Sequence, residues 1–266
     1  MPLSSSFRPP SSSLPLIAAN WKMNLGPEEG LALFREVRRR VQGVRGVEVV
    51  ICPPFVTLPA LAAAQSAYGA TVMLGAQDCH WEAKGAYTGE VSAGMLRGLC
   101  EWVIVGHSER REYHGETDAL VHKKLHAALD AGLRPILCVG EGQEAREAGE
   151  TAAIIRRQLV EGLADLPAGL VRERVVVAYE PVWAIGSGQA ASPVEANRVA
   201  GLVVRGALAE HYDEGVASAV RVLYGGSVSP ANIAGFVAQP EVDGALVGGA
   251  SLEAASFAAL VRAAVP

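Results

Sequence analysis

Glu180 ends the apolar run Val175-Val-Val-Ala-Tyr179 and is followed at once by Pro181. A carboxylate carried to the end of a buried strand loses hydration, which raises its pKa toward the range of a general base near neutral pH. The alternative is a Glu that only caps or pairs at a strand end. The segment after it, Pro181-Val-Trp-Ala-Ile-Gly-Ser-Gly188, has a stiff entry and a glycine-containing exit. That composition suits a lid over a site from which water must be excluded. His107 follows a second apolar run, Trp102-Val-Ile-Val-Gly106, and precedes Ser-Glu-Arg-Arg, which reads as a helix start. Backbone N–H groups at that start would bond a ring nitrogen and disfavour the imidazolium, leaving a neutral ring able to donate to a carbonyl oxygen. A lone histidine is more often a satisfied core or surface residue; the strand-end position favours the chemical role. Lys22 lies two residues beyond Asn20 on the exit from a third apolar run. It supplies a cation for a phosphate or a developing oxyanion, against the alternative of a solvated surface lysine.

Anion binding has the most distributed support. Gly186, Ser227 and the pair Gly248-Gly249 follow later apolar runs and offer unobstructed backbone N–H groups. Gly-Gly pairs usually make turns, but Gly225-Gly226 and Gly248-Gly249 are each followed by Ser or Ala-Ser and a helix start. Helix starts of that kind hold phosphate. The remaining histidines, His80, His114, His122 and His126 among them, form no cluster with metal-ligand spacing, so no metal is expected.

Short apolar runs must position these residues. Candidate strands are Leu16–Asn20, Val47–Cys52, Thr71–Gln77, Trp102–Gly106, Arg134–Val139, Val175–Glu180, Ala219–Tyr224 and Gly244–Val247. Most are continuously apolar, as parallel strands buried on both faces are. Helical patterns lie between them, including Glu28–Gln42, Thr117–Ala131, Thr151–Leu163 and Pro193–Tyr212. Eight such units form a parallel α/β sheet, either open or closed. An open sheet gathers functional residues at one switch point, whereas here they follow nearly every strand: Asn20-Trp-Lys22, Gln77-Asp78, His107-Ser-Glu109, Glu180, Tyr224-Gly-Gly-Ser227 and Gly248-Gly249. A closed (β/α)8 barrel brings all those ends into one ring and is the better reading. No GxGxxG follows any strand, so a dinucleotide domain is disfavoured.

Composition sets the bounds. Of 266 residues, 50% are hydrophobic and 19% charged, a balance for one globular domain. The net charge of −5 argues against nucleic-acid partners. Cys52, Cys79, Cys100 and Cys138 show no CxxC or metal spacing and are expected as reduced thiols of a cytoplasmic protein. No apolar run reaches the roughly 18 residues of a membrane span. Residues 1–15 are Ser/Pro-rich without an apolar h-region and are expected as a disordered extension, a transit peptide being the alternative; residues 16–266 are the barrel.

Five segments together resemble the triosephosphate isomerase family: Ala19-Asn-Trp-Lys-Met-Asn24, Val103-Ile-Val-Gly-His-Ser-Glu-Arg-Arg111, Ala178-Tyr-Glu-Pro-Val-Trp-Ala-Ile-Gly-Ser-Gly188, Tyr224-Gly-Gly-Ser-Val228 and Val247-Gly-Gly-Ala-Ser251. They keep the family's order and rough spacing over about residues 16 to 266. The resemblance implies a single-domain TIM barrel that interconverts dihydroxyacetone phosphate and D-glyceraldehyde 3-phosphate through an enediol(ate), with no cofactor. It implies Glu180 as base, neutral His107 as electrophile and proton shuttle, Lys22 as the stabilising cation and Asn20 as a positioning residue. Gly186, Ser227, Gly248 and Gly249 match the family's phosphate contacts, Glu109 a supporting carboxylate near Lys22, and Tyr224 and Ser227 the residues that hold the closed lid. The stretch His80–Ser92 is long for a βα loop. In the family it enters a second subunit, where Thr88 approaches the site, so a homodimer is implied.

Three departures stand out. The lid exit reads Gly188-Gln-Ala-Ala191 where many members carry Lys-Thr-Ala, Leu96–Trp102 is one residue short, and the Ser/Pro tail has no counterpart. Two further readings remain at this point, another metal- or acid-dependent isomerase or epimerase of phosphorylated sugars and a catalytically inactive barrel scaffold.

Overall fold

Residues along a strand point alternately to opposite faces. In the computed structural model, which describes residues 14–68, 72–185 and 190–266, that alternation produces two cores. Leu16, Ala18, Val50, Cys52, Trp102, Ile104, Ile136, Cys138, Val176, Ala178, Leu223 and Leu246 pack together inside the ring of strands. Their neighbours in sequence, such as Ile17, Ala19, Val49, Ile51, Val103, Val105 and Val177, face outward into a larger core shared with the helices. Burial on both faces explains why these strands read as unbroken apolar runs; each Leu, Ile or Val removed from water contributes about 1.5–3 kcal/mol.

The strands are β1 (Leu16–Asn20), β2 (Glu48–Cys52), β3 (Met73–Ala76), β4 (Trp102–Val105), β5 (Arg134–Val139), β6 (Val176–Tyr179), β7 (Arg221–Tyr224) and β8 (Gly244–Val247). They form a closed barrel in sequence order. Closure is made by β1, which pairs in parallel with β2 from Leu16 opposite Glu48 and with β8 from Leu16 opposite Gly244. All strands run in parallel, so their C-terminal ends share one mouth. The single-domain TIM barrel expected from the sequence is the fold observed.

Several expected boundaries move inward. β4 ends at Val105 because Gly106 turns the chain at φ 72°. β6 begins at Val176, since Val175 is the C-cap of the helix Ala168–Arg174. β7 begins at Arg221, because Glu214–Ala219 is a helix capped by Asp213. Thr71, the expected start of β3, lies outside the described residues, as do residues 1–13 of the expected extension. The expected helix Pro193–Tyr212 is helical throughout most of its length, but Val199–Arg205 widens into a π segment between Pro193–Arg198 and Gly206–His211. Among the described residues, no helix is long and apolar enough to cross a membrane.

Candidate active site

Two strand ends at the barrel mouth, those of β6 and β4, set the centre of the site. Glu180 leaves β6 with its N–H still donated to Val139 O of β5 at 2.7 Å, so its backbone is held by the sheet. The residue is 2% exposed; in its carboxylate, Oε1 lies 2.9 Å from His107 Nε2, and Oε2 accepts the Ser108 N–H at 2.9 Å. His107 is the N-cap of the helix Ser108–His114, and its Nδ1 accepts the Glu109 N–H at 3.2 Å. That bond leaves the proton of the neutral ring on Nε2, facing Glu180.

Electrostatics depart from the sequence reading. Burial alone pushes the Glu180 carboxyl up, as expected, but the adjacent His107 and the Ser108 N–H outweigh it and hold the group below its ordinary value. For His107, burial works against the cation, yet the Glu180 and Glu109 carboxylates outweigh it and move the ring up rather than down. The helix start thus fixes the tautomer, while the neighbouring carboxylates govern the ring's affinity for protons.

Lys22 lines the same cavity as Glu180 and His107, from the end of β1. Its backbone is left-handed, φ 54°, a conformation that costs a non-glycine residue about 1–2 kcal/mol. Side chains brace it: Asn20 Oδ1 accepts the Lys22 N–H, and Gln77 Nε2 donates to Lys22 O, each at 2.9 Å. Nζ is paired with Glu109 Oε1 at 2.5 Å. Glu109 therefore links the two sides, donating its N–H to the imidazole and engaging the lysine with its carboxylate.

Asn20, Lys22, His107, Glu180, Ser227, Gly248 and Gly249 all line one cavity of about 410 Å³. Ser227 Oγ donates to Ala184 O at 2.9 Å, and Gly248 leads into the short helix Gly249–Ser251. A Cβ at Gly248 would stand 3.5 Å from Lys22 Cε, an ordinary contact, so this loop runs directly beside the lysine side chain. Tyr224 does not line this cavity; it stacks on Phe236 at 4.1 Å and accepts the Ala191 N–H at 3.0 Å, which anchors the far end of the segment that begins at Glu180. Gly186 and the tip of the expected lid, with Gln189, lie outside the described residues. Thr88 is exposed on the long loop and joins no part of the cavity in its own chain. Among the described residues no group of His, Cys, Asp or Glu has the arrangement to hold a metal ion.

Triosephosphate isomerase is the family whose model matches this chain, over residues 15–264. The chain belongs to the triosephosphate isomerase family. Similar proteins bearing that name include those of Moorella thermoacetica, 54% identical over 249 residues, and Herpetosiphon aurantiacus, 50% identical over 249 residues. In both cases the match covers 93% of this chain and 98% of the relative. A third, from Carboxydothermus hydrogenoformans, is 47% identical over 253 residues, covering 94% and 99%. Membership makes the chain an aldose–ketose isomerase and removes the epimerase and scaffold readings.

The isomerase site also contains residues that sequence reasoning passed over. Glu141, fully buried, accepts from Trp183 Nε1 at 3.1 Å and from Tyr179 Oη at 3.2 Å, fixing the chain on either side of Glu180. Arg146 stacks over Trp183 at 4.1 Å and approaches the same carboxylate at 3.7 Å. The signal was Gly140-Glu-Gly142 directly after β5, a strand end to which no function had been given. Ser108 and Gln77, which the sequence placed at strand ends without a role, act through the Ser108 N–H on Glu180 and the Gln77 amide on Lys22 O.

Proposed function

We propose that this isomerase interconverts dihydroxyacetone phosphate and D-glyceraldehyde 3-phosphate by moving one proton between adjacent carbons. The observation that carries the reading is the Glu180 carboxylate, buried yet held ionised, beside an imidazole whose only free proton position faces the same cavity. Glu180 removes the proton next to the carbonyl and returns it to the neighbouring carbon. The substrate oxygen takes the place of Glu180 on His107 Nε2, which then donates to the developing enediolate. Once Glu180 has turned to the carbon, the charge that lifts the imidazole's pKa has moved away, which favours the neutral ring. Lys22 stabilises the negative oxygen, Asn20 sets the lysine's geometry, and Glu109 keeps the ammonium in place.

Gly248, Gly249 and Ser227 cradle the phosphate, with Gly186 from the lid. The segment that follows Glu180 shields the enediolate, which would otherwise eliminate phosphate in water. Trp183 on Glu141, Ala184 on Ser227 and Ala191 on Tyr224 are its anchor points. The abstracted proton is activated by the carbonyl, so the chemistry calls for no cofactor. A structure with a phosphocarboxylate mimic of the enediolate tests the arrangement. It should place the carboxylate end between Glu180 and His107 and the phosphate on Gly248 and Gly249; the reverse orientation contradicts it.

The working unit is read as a homodimer in the cytoplasm. Met23, Val56, Tyr87 and Met95 are exposed apolar side chains on the connections after β1, β2 and β3, next to the long loop that carries Thr88. Apolar surface of this kind is suited to a second copy, whose site Thr88 would approach. Residues 16–266 form the catalytic barrel in this reading, and residues 1–15 an extension outside the chemistry.

A further inference from the structure

Glu180 forms part of the walls of two cavities. The first is the active-site cavity; the second, of about 460 Å³, lies behind it, against the ends of β4, β5 and β6. Ser108, Cys138, Glu141, Ile154, Gln158 and Val182 line the rear cavity, and the exposed residues Glu112 and Gly142 stand on its rim. Lys22, His107 and the phosphate loops take no part in it. The two oxygens of Glu180 divide accordingly. Oε1 is bonded to His107, a wall of the active-site cavity, and Oε2 to the N–H of Ser108, a wall of the rear one.

The rear cavity is suited to water. Glu141 Oε2 is buried and has no hydrogen-bond partner among the described residues. Leaving a buried acceptor unmet costs about 1–3 kcal/mol; the wall of the rear cavity is mostly apolar, but Glu141, Gln158 and Glu180 set polar groups into it, and its volume admits several waters of about 30 Å³ each that supply the donor. The charge of the lining is negative. Glu141 and Glu112 face it, while the Arg111 guanidinium is taken up by Asp118 Oδ1 at 2.5 Å and Gly106 O at 2.8 Å. Such walls favour a passing proton.

We infer that the rear cavity is a hydrated port through which Glu180 exchanges the hydrogen taken from substrate for solvent hydrogen, independently of the active-site mouth. The inference rests on the reading of Glu180 as the base. In the step, protonated Glu180 gives its O–H hydrogen to a port water while a neighbouring water returns a solvent hydrogen to the carboxylate. One O–H bond breaks, one forms, and no electron pair leaves the carboxyl group. The exchange competes with return of the original hydrogen to substrate, so the port sets the fraction of hydrogen carried over.

Ile154, half-buried on the helix Thr151–Gly162, lines the rear cavity and not the active-site cavity. The test converts glyceraldehyde 3-phosphate in D2O and reads by NMR the fraction of dihydroxyacetone phosphate that keeps the substrate hydrogen. Ile154→Phe narrows the port and should raise that fraction about twofold with kcat within about twofold of wild type. Ile154→Ala widens it and should lower the fraction; it decides the question alone if the larger side chain is not tolerated. Wild-type retention in the folded variants overturns the port. If Glu180→Gln is inactive in that case, the base assignment stands without the port, whereas near-normal turnover of Glu180→Gln removes both.

Discussion

At the residue scale, the protonation state of the site is decided by a contact of 2.9 Å between Glu180 and His107. The sequence showed a carboxylate and an imidazole at two strand ends, and burial was legible for the carboxylate. Their separation depends on barrel closure, so the sign of the pKa shifts was not legible in either motif. Two consequences follow. First, Glu180 sits below its ordinary 4.5, so the base form survives to lower pH than a free carboxylate. A folded-state pKa depressed in this way contributes stability above the unfolded-state value, and that contribution is lost as pH falls through the folded-state value. Second, His107→Asn removes the neighbour that opposes burial. The acid limb of kcat/KM should move to higher pH, after allowance for the substrate phosphate, which itself titrates near about 6. Turnover should also fall by about 10²–10³, the usual cost of one lost donor at a developing oxyanion. A pH–rate profile on both proteins checks this; an unmoved limb would mean that the imidazole does not govern the carboxylate.

At the element scale, strand ends do the positioning, and the tightest point is Gly140. A Cβ there would stand 1.7 Å from Glu180 O, a backbone atom that cannot step aside without moving the end of β6. Gly140→Ala should therefore lower kcat and destabilise the fold by about 1–3 kcal/mol, as overpacking does. Thermal melts with steady-state kinetics test it, and a variant of unchanged stability and rate would show that the loop after β5 does not set the base. Strands were legible here because burial on both faces leaves a continuous apolar run. The π segment Val199–Arg205 was not. It reads as a continuation of the helix before it, and its packing depends on residues beyond the helix: Gly201 packs within reach of Glu241, and buried Arg205 donates to Ala217 O, Val220 O and Asp243. Glu141 was missed for the same reason, since its partners Tyr179 and Trp183 lie 38 and 42 residues away.

At the scale of the whole molecule, parallel closure turns scattered strand-end residues into one ring. The spread of polar residues after nearly every strand was enough to favour a barrel over an open sheet. Assembly is the next level. With Tyr87 exposed on the long loop, the protein should sediment as a dimer of the 27.8 kDa chain, and Tyr87→Asp should shift it toward monomer with reduced turnover. Sedimentation velocity with assays at matched concentrations checks both halves. A fully active wild-type monomer would remove the dimer from the account.

The central claim is that Glu180 moves the proton, and the most direct measurement is the turnover of Glu180→Gln on glyceraldehyde 3-phosphate with a chelator present. Glutamine keeps the shape and can still accept the Ser108 N–H, so the barrel should melt cooperatively as a folded protein while kcat falls by about 10²–10⁴, the range of a lost general base. A folded variant that isomerises its substrate at near the wild-type rate would contradict the assignment.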